Sequence, residues 1–216
     1  PSTKYFLITA LFLRSFFSIL GEFYITLPGS SMDAWTYEQF AFKYSQEYEL
    51  AIFSLLLNGD SFFLSKIISI FYTLFDRSPM MANMFSVGFG TATVFLIYRF
   101  ILILWSKDAA IKAGWFAALF PSLILYSTII MRETYVIFFL TYGLIGCVNF
   151  INQEKISYFI KAILGFFLSS LFHGPMIIGL FVFLIYIFFK ILKSNKYFLR
   201  FKKKKLYLFF LLPIIS

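Results

Sequence analysis

The chain has 216 residues, 61% of them hydrophobic and 13% charged, with 33 phenylalanines and a net charge of +9. So apolar a composition excludes a soluble globular domain, and the absence of short alternating segments excludes a closed membrane barrel. The expected class is all-α: a polytopic transmembrane helix bundle whose large external first loop bears interfacial helices.

The first apolar run, about 5–21 in "YFLITALFLRSFFSIL", has no small-residue cleavage site after it and reads as a retained anchor rather than a signal peptide. It contains Arg14. A charge inside a span asks for a partner, which Glu133 or Asp33 from another segment would supply, or it snorkels to the interface.

Residues 22–79 follow as the polar interruption. Within them "SSMDAWTYEQFAF" has helical spacing, with Ser30, Ser31 and Asp33 as candidate caps. Asp33, Tyr37 and Ala41 recur every four residues and share one face, and the surrounding aromatics suit a membrane interface. Asp33 has two readings at this point, a helix cap or a carboxylate placed to take a proton from a substrate hydroxyl or amine. The run at 61–75, "SFFLSKIISIFYTLF", is short for a span and contains Lys66, so it is expected to lie in the interface or re-enter.

Further apolar runs fall at about 80–104, 113–131, 134–151, 157–172 and 174–192, with a truncated one at 206–216. The whole, 1–216, reads as a single incomplete membrane domain, a piece of a longer chain. Met80, Met81, Gly88 and Gly90 read as packing features. Pro121 and Ser122 predict a kink inside 113–131, its freed backbone groups met by hydroxyls.

Between two of these runs stand Arg132 and Glu133. At the start of the following helix the macrodipole favours the glutamate but not the arginine, and a guanidinium fork matches phosphate oxygens. His173 in "SSLFHGPM" is either a turn residue or a base or phosphate ligand. A lone histidine argues against zinc, and the sequence lends no support to a divalent metal or other cofactor. Cys147, the only cysteine, permits neither an intrachain disulfide nor a cysteine metal cluster.

Orientation follows from the basic residues. The stretch "KILKSNKYFLRFKKKK" is expected to be cytoplasmic and to meet anionic lipid headgroups rather than nucleic acid. Counting spans backwards puts "RFILILWSKDAAIK", with Arg99, Lys107 and Lys112, on the same inner side. It leaves the loop 22–79, the "MRET" turn and "FHGP" outside, provided that 61–75 does not cross.

The order of these features resembles the lipid-carrier-dependent glycosyltransferases of the GT-C fold, which include protein O-mannosyltransferases and the lipid A aminoarabinose transferase. Three stretches between about 25 and 150 carry the resemblance: "DAWTY" followed by "EQFA", the segment "IFYTLFDRS", and "FPSLILYSTIIMRETYVIFF". Ala34 replaces the second acidic residue of the family's motif, and "LFDRS" lacks its usual glycine. The resemblance implies sugar transfer from a polyprenyl-phosphate donor to a lipid, glycan or protein acceptor. The active site would face outwards, at a bacterial inner membrane. It makes Asp33 the general base, Glu133 a second acidic group and Arg132 the contact to the donor phosphate. The other candidate substrate contacts are Tyr37, Arg14 and His173. A polysaccharide polymerase uses the same lipid-linked sugars and is the nearest alternative. A transporter or flippase, gated by Arg14 and Glu133, is the alternative from another class, although no paired repeat is seen.

Overall fold

The computed structural model describes residues 2–48, 55 and 62–193. It is 89% helical, with no strand among the described residues. The helices are α1 (Ser2–Phe23), α2 (Trp35–Tyr48), α3 (Phe63–Phe75), α4 (Pro79–Leu104), α5 (Lys107–Leu119), α6 (Pro121–Thr128), α7 (Arg132–Gln153), α8 (Ile156–Phe172) and α9 (Ile177–Lys193). Three of them, α1, α4 and α7, are long and apolar enough to cross a membrane. The count is four if α5 and α6, bent by 54° at their junction, form one span. The expected segment 206–216 and the basic residues from 194 onward lie outside the described residues.

Residues 1–177 form one compact unit, and α9 falls almost wholly in a second. By itself α9 is an apolar helix that exposes Ile178, Phe181, Val182, Phe188 and Phe189.

Within the first unit, α1 reverses the pattern of a soluble helix. Phe6, Ala10, Arg14 and Ser18, spaced by four, are buried, whereas Ile8, Phe12, Phe16 and Phe23 are exposed. Its polar stripe faces protein and its apolar face is left to the surroundings, as in a lipid-facing helix. The starts of α4 and α5 are set by local chemistry. Ser78 accepts a hydrogen bond from the Met81 amide ahead of Pro79, and Ser106 accepts one from Ala109.

Two apolar cores divide the unit. One joins Phe6 and Ala10 of α1, Val94 and Tyr98 of α4, and Ala110, Ala117 and Ala118 of α5. The other gathers Ala34, Tyr37 and Ala41, Leu64, Ile68 and Tyr72, Ala82, Ile129–Met131, Tyr135 and Phe172. The second core therefore brings α2, α3, the α6–α7 turn and the end of α8 to one end of the bundle. α3 contributes Leu64, Ile68 and Tyr72 to that single core. Its thirteen residues measure about 20 Å, short of a bilayer core of about 30 Å. α7 and α8 approach closely at glycines: a Cβ on Gly146 would lie 2.5 Å from the Ala162 amide nitrogen, and one on Gly165 would collide with the Gly143 backbone.

The segment 113–131 is not one kinked helix. α5 starts at Lys107, after the Ser106 cap, and stops at Leu119, because Phe120 is extended before Pro121. Pro121 has no N–H for the Ala117 carbonyl, and the turn at Phe120 takes the chain away from Ala118. Those carbonyls are met by Arg14, which donates from Nη2 to Ala117 O at 3.3 Å and from Nη1 to Ala118 O at 3.2 Å and to Ala10 O at 3.2 Å. This corrects the expectation that hydroxyl groups repair the break.

The turn after α3, in "LFDRS", has an unusual backbone. Asp76 has φ 66° and ψ 167°, a region open essentially to glycine alone, so the turn keeps glycine's backbone without glycine. Asp76→Gly is expected to stabilise the protein by about 1 kcal/mol, read as a raised unfolding midpoint in detergent. A lowered midpoint would show that the Asp76 side chain contributes more than its backbone costs.

Candidate functional site

The end of the bundle built on the second core is where Asp33, Arg132 and Glu133 collect. α2 reaches it through a clamp to α3. The Ser65 hydroxyl donates to the Tyr37 carbonyl at 2.7 Å. Arg77, just past α3, donates twice to the buried Glu38 carboxylate, from Nε to Oε1 at 2.8 Å and from Nη2 to Oε2 at 2.7 Å. Tyr72 OH donates to the same carboxylate at 3.3 Å and Gln39 Nε2 at 2.9 Å, while the guanidinium lies 4.2 Å above the Phe42 ring. Donation to Glu38 holds Arg77 charged, raising its pKa above its ordinary value. Sequence reasoning missed this clamp, although Arg77 is the only arginine in 22–79 and Glu38 lies one residue from Tyr37. Arg77→Ala is expected to cost about 1–3 kcal/mol, because Glu38 stays buried without its ionic partner. Chemical unfolding checks it, and an unchanged midpoint would contradict the clamp.

With α2 fixed, Tyr37 packs in the core against the α6–α7 turn, and its hydroxyl interacts with the Arg132 guanidinium at the start of α7. Arg132 Nε donates to Glu133 Oε1 at 3.3 Å, and both side chains are partly open to solvent. The charges of Asp33 and Glu133 act on Tyr37, and that of Asp33 acts on Arg132 as well. Burial raises the Tyr37 pKa, the two carboxylates raise it further and Arg132 partly opposes them. Tyr37 is therefore a neutral hydroxyl throughout the neutral pH range. Asp33, Tyr37, Arg132 and Glu133, separated by about a hundred residues of sequence, form one cluster.

Each member is held differently. Asp33 sits in a short π-helical turn, Ser30–Ala34, entered through Gly29 at φ 88°. Its carboxylate is exposed and takes no hydrogen bond among the described residues, so it does not cap α2. Glu133 lies in the first turn of α7, where the macrodipole favours it, and its Oε2 is buried with no donor among the described residues. The cluster thus presents an exposed base, a neutral hydroxyl, a partly open guanidinium and an acceptor oxygen lacking a donor.

The other two candidates stand apart. Arg14 does not pair with Glu133 or Asp33; its three hydrogen bonds go to backbone carbonyls. His173 ends α8, next to Phe172 of the same core, and its amide donates to Ser169 O at 3.1 Å. Its imidazole makes no hydrogen bond or ion pair among the described residues. No three His, Cys, Asp or Glu side chains gather as metal ligands among the described residues.

Beneath the cluster lies an aromatic block. Tyr135 and Phe172 stack with centroids 5.1 Å apart, Phe89 stands 4.8 Å from Tyr135, and the Tyr135 and Ser86 hydroxyls share a 3.1 Å hydrogen bond. From this block an apolar groove of ≈ 540 Å³ runs along α4, lined by Met81, Met84, Phe85, Gly88, Phe89, Ala92 and Phe138. Met81 and Phe89 also pack on the core that holds Tyr37, so the groove borders that core, and none of Asp33, Tyr37, Arg132 and Glu133 lines it. Arg99, Lys107 and Lys112 belong to the other end, on the elements that build the first core.

No family model, curated protein or solved structure matches the chain.

Proposed function

We propose that this protein is a polytopic membrane glycosyltransferase that moves a sugar from a polyprenyl-phosphate donor to an acceptor at the outer membrane face. The carrying observation is the convergence of Asp33, Tyr37, Arg132 and Glu133 at one end of the bundle, on a core that an apolar groove also borders. A donor with a charged phosphate and a long apolar chain suits such an end, which offers a guanidinium for the phosphate and an apolar groove for the chain. The basic residues at the opposite end support an outward site by the positive-inside rule.

In the proposed reaction the acceptor hydroxyl attacks the anomeric carbon while Asp33 takes its proton. The bond from that carbon to the phosphate oxygen breaks, and its electron pair leaves with polyprenyl phosphate. Arg132 stabilises the charge that develops on the phosphate, and Tyr37 presents a neutral hydroxyl beside it. Glu133 holds Arg132 through Oε1 and keeps the guanidinium turned to the phosphate. A polysaccharide polymerase would use the same groups with a growing glycan as acceptor.

One observation favours a transporter: the break between α5 and α6 is of the kind that carriers use for ions. Arg14 fills it, however, since its guanidinium occupies the carbonyls that an exchanged cation would take.

Donor recognition is tested by native mass spectrometry of the protein with polyprenyl phosphate or uncharged polyprenol. The wild type is expected to retain the phosphate form at least ten-fold better, and Arg132→Gln to lose most of that preference, a difference of about 1.4 kcal/mol or more. Equal retention of both lipids by the wild type would sink the reading.

A further inference from the structure

A small cavity lies beside Arg14 where α1, α4, α6 and α7 meet. Arg14 is completely buried, and although its two terminal nitrogens are used, its Nε has no partner among the described residues. Gly90 lies against both Ser127 and Arg14: a Cβ there would overlap the Ser127 side chain and sit 3.2 Å from Nε. A buried, charged N–H without an acceptor is costly, so something has to meet it.

The walls define what that is. Thr93, Ser127 and Thr134 line the cavity, each 4% exposed or less. Each has committed its hydroxyl hydrogen to a backbone carbonyl: Thr93 to Phe89 at 2.8 Å, Ser127 to Leu123 at 2.6 Å and Thr134 to Tyr126 at 2.7 Å. They present only lone pairs to the space, while Arg14 presents one N–H. A monatomic anion would meet one donor and a ring of oxygens. A cation would meet the guanidinium. The group that accepts one hydrogen bond and donates two is water, and the space holds one water-sized sphere.

We propose that this cavity is a binding site for a single water molecule, which accepts from Arg14 Nε and donates its two hydrogens to the hydroxyl oxygen of Thr134 on α7 and to that of one of Thr93 on α4 and Ser127 on α6. The water extends the Arg14 clamp beyond the α5 carbonyls. Through Thr134 it reaches the first turn of α7, which carries Arg132 and Glu133. It therefore helps fix the turn on which the candidate site stands, and it leaves the helix break no vacancy for an exchangeable ion. The inference does not depend on the proposed sugar transfer.

The test is a density map of the protein, at a resolution that shows ordered water, from crystals grown in bromide. One peak of water height is expected at about 2.7–3.2 Å from Arg14 Nε, with no anomalous bromide signal. Anomalous signal at that place would make the site an anion site, and an empty cavity with Nε bonded elsewhere would remove it. Either result overturns the proposal.

Discussion

Asp33→Asn is expected to lower sugar transfer by about 10²- to 10⁴-fold, the range that a positioned general base contributes. The substitution keeps shape and removes the negative charge together with the capacity to take a proton. Because the Asp33 carboxylate is exposed and carries no hydrogen bond among the described residues, the variant should unfold at the wild-type midpoint. Loss of transfer at unchanged stability therefore isolates the chemistry. Glu133→Gln should act more mildly, about ten-fold, because an amide oxygen still accepts from Arg132 but attracts it less. Transfer by Asp33→Asn within two-fold of wild type would remove Asp33 from the mechanism, whatever the donor proves to be.

The second large effect is structural. Arg14→Met is expected to destabilise the protein by about 2–4 kcal/mol, read as a lowered unfolding midpoint in detergent. Removing a buried charge relieves its desolvation, which argues for a gain. Against that, the Ala117 and Ala118 carbonyls lose their donors inside an apolar bundle, and Pro121 supplies no N–H to replace them. The orphaned carbonyls decide the sign, because each unmet buried polar group costs on the order of 1–3 kcal/mol. Arg14→Lys should fall between, since an ammonium reaches one carbonyl but lacks the fork that spans two. An Arg14→Met protein as stable as wild type would mean that the break at Phe120 satisfies itself.

These two residues mark what can be read from sequence and what cannot. Charged groups are scarce in so apolar a chain, so Asp33, Arg14, Arg132 and Glu133 stood out before any fold was known. Apolar runs near span length gave α1, α4 and α7 within a few residues. The partner of Arg14 was illegible for a physical reason. It is a pair of backbone carbonyls, which no side-chain letter encodes, exposed by a proline more than a hundred positions away. Hydropathy likewise could not divide 113–131, since Phe120 and its neighbours are apolar on both sides of the break. The Glu38–Arg77 clamp was hidden among charges that resemble an ordinary solvated loop, and only the packing of α2 on α3 shows that Glu38 is buried. Asp76 carries a related lesson. Aspartate stands where the resemblance led to an expected glycine, and the backbone there adopts a conformation that glycine serves.

The convergence of the four site residues is the point at which sequence and fold meet. Four-residue spacing suggested one face for Asp33, Tyr37 and Ala41, but the π-helical turn gives the buried place beside Tyr37 and Ala41 to Ala34 and leaves Asp33 exposed, while Arg132 and Glu133 stand on a distant turn. Packing of Ala34, Tyr37 and Ala41 against Ile129–Met131 brings them together. Whether that cluster transfers a sugar is answered by one assay. The purified protein is reconstituted in liposomes with a polyprenyl-phosphate donor carrying a radiolabelled sugar and a crude envelope extract as acceptor. Stoichiometric, time-dependent release of polyprenyl phosphate with label appearing in the acceptor, abolished by Asp33→Asn, is the predicted result. An intact donor, together with label carried across the bilayer still attached to its lipid, would contradict the account and make the protein a carrier.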